Sequence, residues 1–345
     1  MAYTTIDKPT DYFNTVLYTG NATTPTNITG VGFQPDWVWI KNRDNAEMHI
    51  LADVVRGANK LLESNTSDAE LSDTNYIKAF QSDGFQIGSE GSVNGNTQGH
   101  VAWNWLASNT TASNSNGSIT STVSANTTSG FSIVSYTGNG SAGATVGHGL
   151  SSQLDVIFIK NRTDVEAWQT YHRPLGATHH LSLNTTASAQ DNNTRFNDTD
   201  PTSSVFTLGN NDTVNKNTSN FVAYCFHSVK GFSKMGSFQG NGSTDGTFVY
   251  TGFKPAWVMV KASSFSGESW YTFDNKRNTF NVLDKGLVPN QNIAEFTASA
   301  LDFTSNGFKI RANAPNYNTS GATYIYMCFA SNPFVTSTGI PTVAR

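Results

Sequence analysis

The segment GFKPAWVMVK at 252–261 repeats the pattern of GFQPDWVWIK at 32–41. In both copies a proline precedes a run of strand-forming residues, where its missing N–H breaks no ladder hydrogen bond. A tryptophan then supplies a large apolar body, and a lysine closes the run, where we expect its ammonium to reach water. A structural role accounts for every shared letter. The alternative is a repeated ligand contact made by the same tryptophans and lysines: Trp37, Lys41, Trp257 and Lys261.

Other landmarks recur with the same spacing, and an internal repeat has to be recognised before the fold is assigned. The pattern YTGN or FQGN, the closing lysine and an aromatic last strand each occur three times. About 120 residues separate the first two copies and about 100 separate the last two. The sequence therefore predicts three tandem units, at 1–108, 109–229 and 230–332, followed by a tail at 333–345.

Each unit contains short β-forming runs bounded by Gly, Asn, Asp or Ser, as strands are. Alternation buries one face of such strands, and two half-buried sheets satisfy each other by packing face to face. We therefore predict an all-β protein of three tandem β-sandwich repeats, jelly-roll or concanavalin-like. The stretch 108–130 has the composition of a joint, with enough Ile and Val for one exposed strand. The tail is expected to be extended and disordered unless another subunit holds it.

Composition limits the possible functions. Charged residues make up 13% of the 345 residues and the net charge is −4, which argues against a nucleic-acid-binding surface. No apolar stretch approaches the roughly 18 residues of a membrane helix, and no secretory signal is visible. Cys225 and Cys328 occupy matching strands of different units, so we expect free, buried thiols instead of a disulfide.

Candidate chemistry is sparse. The middle motif of each unit contains a D-x-x-R pair, Asp53 with Arg56 and Asp274 with Arg277, or its counterpart beside His172. We interpret these pairs as local ion pairs that brace a loop. Trp168 and Trp270 precede the motif and, with His172, complete the set of possible ligand contacts. His179 and His180 are adjacent, so on a strand they point to opposite faces, and a structural role is preferred to a metal site.

The acidic loop at 191–204 contains Asp191, Asp198 and Asp200. Turn formation is the first interpretation, a structural calcium site the second, and a glycosidase acid pair the third. No G-x-S-x-G elbow and no phosphate-binding glycine loop occurs. The sequence predicts a binding or assembly protein without a cofactor, and no enzyme.

Six stretches together carry a resemblance to a known family: MAYTTIDKPTDYFNTVLYTGN, GVGFQPDWVWIKNR, SYTGNGSAGATVGHGL, DGTFVYTGFKPAWVMVK, SNGFKIR and GATYIYMCFASNPFVTSTG. They resemble uncharacterised virion structural proteins of marine bacteriophages (pelagiphages and cyanophages), which carry a repeated domain of unknown function, concanavalin-like in pattern. Copy two departs from the pattern at LSSQLDVIFIK, which lacks the proline.

The resemblance implies a protein of the particle exterior, made in the host cytoplasm and released by lysis. A tail fibre or other appendage that attaches to a host surface glycan or protein is the first expectation. A capsid decoration protein is the alternative, and a secreted adhesin or glycan-active enzyme follows. The implied partners are other virion proteins, further copies of the chain in a homo-oligomer (a trimer by preference) and a host receptor. No nucleic acid and no membrane insertion are expected.

Overall fold

The computed structural model describes residues 3–343. The protein is all-β, as the turn-bounded runs predicted, and its strands form several antiparallel sheets. Within the described residues no helix is long and apolar enough to cross a membrane. We describe the chain as an N-terminal segment (3–108), a middle segment (109–229) and a C-terminal segment (230–343).

The N-terminal segment contains nine strands: β1 Phe13–Thr19, β2 Thr26–Thr29, β3 Trp37–Asn42, β4 Ile50–Asp53, β5 Lys60–Glu63, β6 Leu71–Ser72, β7 Ile77–Gln81, β8 Gly84–Ile87 and β9 Gly99–Trp105. Six of them form one sheet in the order β1-β9-β3-β4-β5-β6, and the others form the sheet β2-β8-β7.

The middle segment contains ten strands: β10 Ala112–Asn114, β11 Ser121–Asn126, β12 Phe131–Thr137, β13 Ala144–Gly147, β14 Val156–Asn161, β15 Gln169–His172, β16 His179–His180, β17 Gln190–Asp191, β18 Val205–Leu208 and β19 Asn220–Phe226. Its large sheet has the order β10-β11-β12-β19-β14-β15, and β13-β18 and β16-β17 form small sheets. The stretch expected to be a joint thus adds two strands, β10 and β11, to the sheet edge.

The C-terminal segment contains eight strands: β20 Ser233–Gln239, β21 Phe248–Tyr250, β22 Phe253–Ala262, β23 Trp270–Asp274, β24 Leu283–Gly286, β25 Phe296–Thr304, β26 Gly307–Ile310 and β27 Thr323–Pro333. They form the sheets β20-β27-β22-β23 and β21-β26-β25-β24. Single helical turns complete the chain, at Gly91–Asn94, Asn193–Phe196, Asp212–Asn215 and Pro315–Asn318, with 3-10 turns at Pro9–Asp11 and Arg173–Leu175.

One sheet of each segment, called its large sheet from here on, contains four strands with the same connection pattern: β1-β9-β3-β4, β12-β19-β14-β15 and β20-β27-β22-β23. The register agrees as well. Trp37 lies opposite Asp53 and Trp105, and Trp257 lies opposite Asp274 and Phe329. The two tryptophans of the repeated pattern therefore occupy corresponding places.

The central strands of the large sheets are buried on both faces, and every residue of β3 and β14 is buried. One face packs on the small sheets of its own segment, and these packings form three separate apolar clusters. The other face packs into a single cluster that draws residues from all three segments. Strands covered on both sides read as near-continuous apolar runs. We call this common cluster the shared core.

Aromatic rings dominate the shared core. Trp37 stacks on Tyr224 of the middle segment with ring centroids 4.3 Å apart. Phe13 stacks on Phe329 of the C-terminal segment at 4.9 Å, and Trp105 meets Trp257 edge to face at 5.9 Å. Such pairs add to the stability gained by area burial alone. The three segments are therefore one packed body.

The repeated glycine of YTGN marks a close approach between backbones. A Cβ on Gly20, Gly138 or Gly240 would lie 2.2–2.3 Å from a carbonyl oxygen of the turn before the last strand. The amide of the following Asn donates to a buried Asn side chain at the end of a helical turn: Asn21 to Asn94, Asn139 to Asn215, and Asn241 to Asn318. This recurring motif is structural.

The tail differs from the expected extended segment. β27 continues to Pro333, and the chain then curls back, with Val335 bridged to Pro341. The backbone N–H of Ser337 donates to Asp7 at 2.6 Å. The extended form is wrong because the turn satisfies its own backbone groups and docks on the N-terminal segment. Cys225 and Cys328 are free and buried, as predicted.

Candidate functional site

The seven residues predicted as possible ligand contacts all lie in the interior. Each is at most 3% exposed: Trp37, Lys41, Trp168, His172, Trp257, Lys261 and Trp270. The four tryptophans belong to the shared core, and the structural interpretation of the repeated pattern requires such burial. A ligand outside the protein touches none of these side chains in this state.

The lysines correct one expectation. The ammonium groups of Lys41 and Lys261 were expected to reach water, but these two lysines and the corresponding Lys160 are 0% exposed. Each instead donates to the carbonyl of the next residue, at 2.7, 2.7 and 2.6 Å. Burial disfavours the charged form and lowers the pKa of each of the three lysines to about 8. Lys160 also donates to the Ser67 carbonyl of the N-terminal segment at 3.2 Å.

A glutamate accompanies each buried lysine, and the sequence analysis missed it. Glu47, Glu166 and Glu268 are the carboxylates whose charge most favours protonation of Lys41, Lys160 and Lys261. They stand in AEMHI, VEAWQ and GESWY, always two residues before His49, Trp168 or Trp270. The recurring E-x-H or E-x-W pattern was the available signal.

The residues after these glutamates connect the segments. The indole N–H of Trp168 donates to the Glu63 carbonyl of the N-terminal segment at 2.8 Å. The indole N–H of Trp270 donates to the Ser182 carbonyl of the middle segment at 3.1 Å. His49 takes the corresponding place in the N-terminal segment, but its Nε2 has no hydrogen-bond partner; here Ser64 donates to the Pro289 carbonyl of the C-terminal segment at 2.7 Å. Three contacts, one between each pair of segments, thus close the body. We call them the first (N-terminal–middle), second (middle–C-terminal) and third (C-terminal–N-terminal) seams.

A buried ion network spans the first seam. Arg56 donates to Asp53 at 2.5 Å, with both side chains fully buried, and reaches Glu70 at 3.1 Å. Tyr224 of the middle segment donates to the same Asp53 carboxylate at 2.7 Å. Arg162, also of the middle segment, grips Glu70 through two hydrogen bonds. Burial alone would raise the pKa of Glu70, but the two guanidinium groups outweigh it and lower that pKa.

The third seam carries the matching network. Arg277 donates to Asp274 at 2.6 Å, again with both side chains fully buried. Trp103 of the N-terminal segment donates to Asp274 at 3.1 Å. Arg43, also of the N-terminal segment, holds Glu295 through two hydrogen bonds of 2.9 Å. The D-x-x-R pairs are therefore ion pairs, as predicted, but they join segments in addition to bracing loops.

The second seam lacks these charges. One backbone hydrogen bond recurs in all three seams and shows which residues correspond: Glu70 N donates to Arg162 O, Glu295 N to Arg43 O, and Ala189 N to Ser263 O. The other two seams have, at five corresponding positions, an aspartate, an arginine, a glutamate, a second arginine and an aromatic ring. The second seam has at these positions, in the same order, His172, Leu175, Ala189, Ser263 and Met327.

His172 is the titratable group among these residues of the second seam. Its Nε2 lies 3.1 Å from the Tyr326 carbonyl, and its Nδ1 has no hydrogen-bond partner. A cavity of about 10 Å³ lies beside it, lined by Val156, Met259 and Met327 among others. Burial lowers the pKa of His172 to about 4, so the ring is neutral at pH 7.

The three aspartates of the loop at 191–204 do not form a metal-binding group in the part of the chain described. Asp200 accepts hydrogen bonds from Tyr171 at 3.1 Å and from the Ala177 amide at 3.0 Å, and Asp191 and Asp198 are exposed. Across residues 3–343 no three His, Cys, Asp or Glu side chains are grouped closely enough to hold a metal ion. Asp200 therefore braces the loop, in line with the turn interpretation.

Comparison with known proteins identifies a family. No curated protein is similar enough in sequence to be recognised as a relative. Residues 8–333 match the family described as "Domain of unknown function (DUF7483)". The match runs through all three segments without a break, as expected of units that share one core. The chain therefore belongs to the DUF7483 family, whose domain has no known function.

Proposed function

We propose that the protein is a structural component of the exterior of a bacteriophage particle and acts without catalysis. The observation that carries the proposal is the use of the repeated aromatic and charged residues. They fill a core common to three segments and close the seams between them. Packing that joins the whole chain into one rigid body suits a protein that bears load or presents a surface. The assignment to a bacteriophage particle is based on the sequence resemblance to virion proteins.

The finer fold description belongs to the same proposal. We infer that the three segments are copies of one jelly-roll or concanavalin-like sandwich. The common order of four strands in each large sheet supports this, as does the recurrence of the Gly-Asn contact and of the lysine with its glutamate. The copies pack their second faces together, so each differs from a free-standing sandwich.

Within the particle we favour a tail fibre or other appendage that attaches to the host surface. Large apolar side chains are exposed on the C-terminal segment, which is what a contact surface offers: Phe248 at 45%, Tyr250 at 53% and Phe280 at 84%. Their positions in strand ends and loops on a rigid scaffold fit the usual location of binding residues.

Capsid decoration is the second candidate, favoured by the cyclic arrangement of three similar segments. One chain already presents three related surfaces, and such a body matches a threefold position of a shell. A homo-oligomer, with a trimer preferred, remains part of the appendage proposal.

An adsorption assay with the purified full-length chain separates the two. An appendage protein binds host cells and lowers phage adsorption in proportion to its concentration, and it ignores empty capsids. A decoration protein binds empty capsids at a fixed copy number and leaves adsorption unchanged. Absence of the protein from purified particles, measured by mass spectrometry, would contradict both roles.

A further inference from the structure

A cleft lies where the N-terminal residues meet the C-terminal segment. It consists of two adjoining cavities of about 520 and 350 Å³, which share Tyr3, Ser228 and Lys230. Lys234 and Tyr250 line the smaller cavity only. Each volume lies within the range of about 300–1,000 Å³ typical of small-molecule sites.

Two tyrosines give the cleft a fixed wall. The hydroxyl of Tyr3 donates to the Gly252 carbonyl at 2.6 Å, which ties residue 3 to a position 249 residues away. A Cβ on Gly252 would lie 3.0 Å from the Tyr3 oxygen and 3.5 Å from the Tyr250 oxygen, and its φ is +84°. Burial, and after it a hydrogen bond with Tyr250, raises the pKa of Tyr3. The phenol of Tyr3 therefore remains neutral, and the hydroxyl groups of the two tyrosines both lie close to Gly252.

Two ammonium groups lie over these rings. Lys230 Nζ is 4.6 Å from the centroid of Tyr3, and Lys234 Nζ is 5.5 Å from that of Tyr250. Lys234 also donates to the Tyr250 carbonyl at 3.1 Å. A cation over an aromatic face is held electrostatically, so the two charges are positioned and not free to disperse.

Neither ammonium is neutralised. Lys8, Lys216 and Lys309 each form an ion pair with an aspartate, whereas no carboxylate of residues 3–343 pairs with Lys230 or Lys234. Two adjacent unpaired cations in a protein of net charge −4 form a local anion-binding surface.

The rest of the rim offers hydroxyl groups. Thr5, Thr127 and Thr128 line the larger cavity with Ser228, and the three threonines are exposed. Half of Tyr250 is open to solvent. A ring plane beside hydroxyls and two cations matches a sugar that carries an acidic group.

We propose that this cleft binds an acidic carbohydrate, whose carboxylate or sulfate group contacts Lys230 and Lys234 while a sugar ring packs on Tyr250. Charge-assisted hydrogen bonds to the ammoniums supply the selectivity for acidic sugars, and the threonine and serine hydroxyls bind the sugar hydroxyls. This site gives the proposed attachment function a ligand class, and its biological role rests on that function.

The test is a calorimetric titration of the full-length protein with four probes: an oligogalacturonate, a heparin oligosaccharide, a neutral glucose oligosaccharide and inorganic phosphate. We expect at least one acidic oligosaccharide to bind and the neutral sugar and phosphate not to bind. Each ammonium contact is worth roughly tenfold in Kd. The Lys230→Gln/Lys234→Gln double variant should therefore weaken binding by about a hundredfold, and Tyr250→Ala by about tenfold.

Lys78→Gln is the matched control, since Lys78 lies on β7 and pairs with no carboxylate of the described chain. It should leave the Kd unchanged. Lys234→Arg keeps the charge and should retain binding, which separates loss of the ion contact from loss of folding. Failure of both acidic sugars to bind, equal binding of phosphate, or an unchanged Kd in the double variant would each overturn the proposal. If acidic sugars bind but adsorption is unaffected, the cleft stands and the attachment function fails.

Discussion

Replacement of Arg56 by leucine tests the ion network of the first seam. Arg56 is fully buried as a side chain and bonds to Asp53, Glu70, the Leu51 carbonyl and the Tyr224 hydroxyl. Leucine fits the corresponding place of the second seam, at Leu175. The variant therefore isolates the loss of charge pairing from a simple failure to fit.

The magnitude follows from what the variant leaves behind. The Asp53 carboxylate stays buried with hydrogen bonds from Tyr224 and from its own turn but without a countercharge. Removing one partner of a buried pair costs about 3–5 kcal/mol. Glu70 keeps Arg162, so the loss concentrates on Asp53. We expect Arg56→Leu to lower the free energy of unfolding by about 4 kcal/mol.

The double variant Asp53→His/Arg56→Leu copies the second seam, where His172 and Leu175 stand at these positions. It removes both charges and should be more stable than Arg56→Leu alone, because replacing a whole buried pair is often nearly neutral. The assay is urea unfolding followed by tryptophan fluorescence, with the m-value checked for constancy. A cost below about 1 kcal/mol for the single variant, or a double variant less stable than the single one, would refute the reasoning.

Three further predictions concern buried groups. The pKa of Lys261 is about 8 in the folded protein against 10.5 otherwise, so the unfolded chain holds the extra proton between these values and stability rises with pH across that window. Lys261→Met should add roughly 1–3 kcal/mol at pH 7 and reduce this rise without abolishing it, because the pKa values of Lys41 and Lys160 are lowered likewise; the measurement is Tm against pH. The pKa of His172 is about 4 in the folded protein against 6.5 otherwise, so stability falls as the pH drops through that range. His172→Gln should reduce the slope of stability against pH without abolishing it, because the pKa values of His148 and His180 are lowered likewise. An unchanged slope would contradict this. Gly138→Ala should lower the free energy of unfolding by about 1–3 kcal/mol, because its Cβ would lie 2.3 Å from a carbonyl oxygen. Gly99→Ala is the control and should cost less, because the nearest atom to its Cβ would be 3.5 Å away. Equal losses in thermal unfolding would count against the proposed contact.

The sequence was sufficient for the strands but not for the way they pack. Turn residues and β-formers predicted the runs that became β3, β14 and β22. The alternation rule led to sheets with one buried face, yet Trp37 and Val38 are both buried. The continuous apolar run WVWI was itself the sign of a sheet covered on both sides.

The lysines could not be placed by residue type. Lysine is rarely buried, and the ammonium groups of Lys41 and Lys261 are held by backbone carbonyls that no side-chain pattern marks. The seams were equally hidden, because Asp53 and Tyr224 are 171 residues apart. The sequence did contain one sign of the seams: the D-x-x-R pair occurs in two of the three units, and in the third His172 and Leu175 stand in its place.

The central claim is that the three segments form one cooperative body around a shared core. Differential scanning calorimetry of the full-length chain tests it most directly, by comparing the calorimetric with the van't Hoff enthalpy. We predict a single transition with a ratio near 1, lowered in temperature as a whole by Arg56→Leu. Two or three separate transitions, with only one of them shifted by that substitution, would contradict the claim.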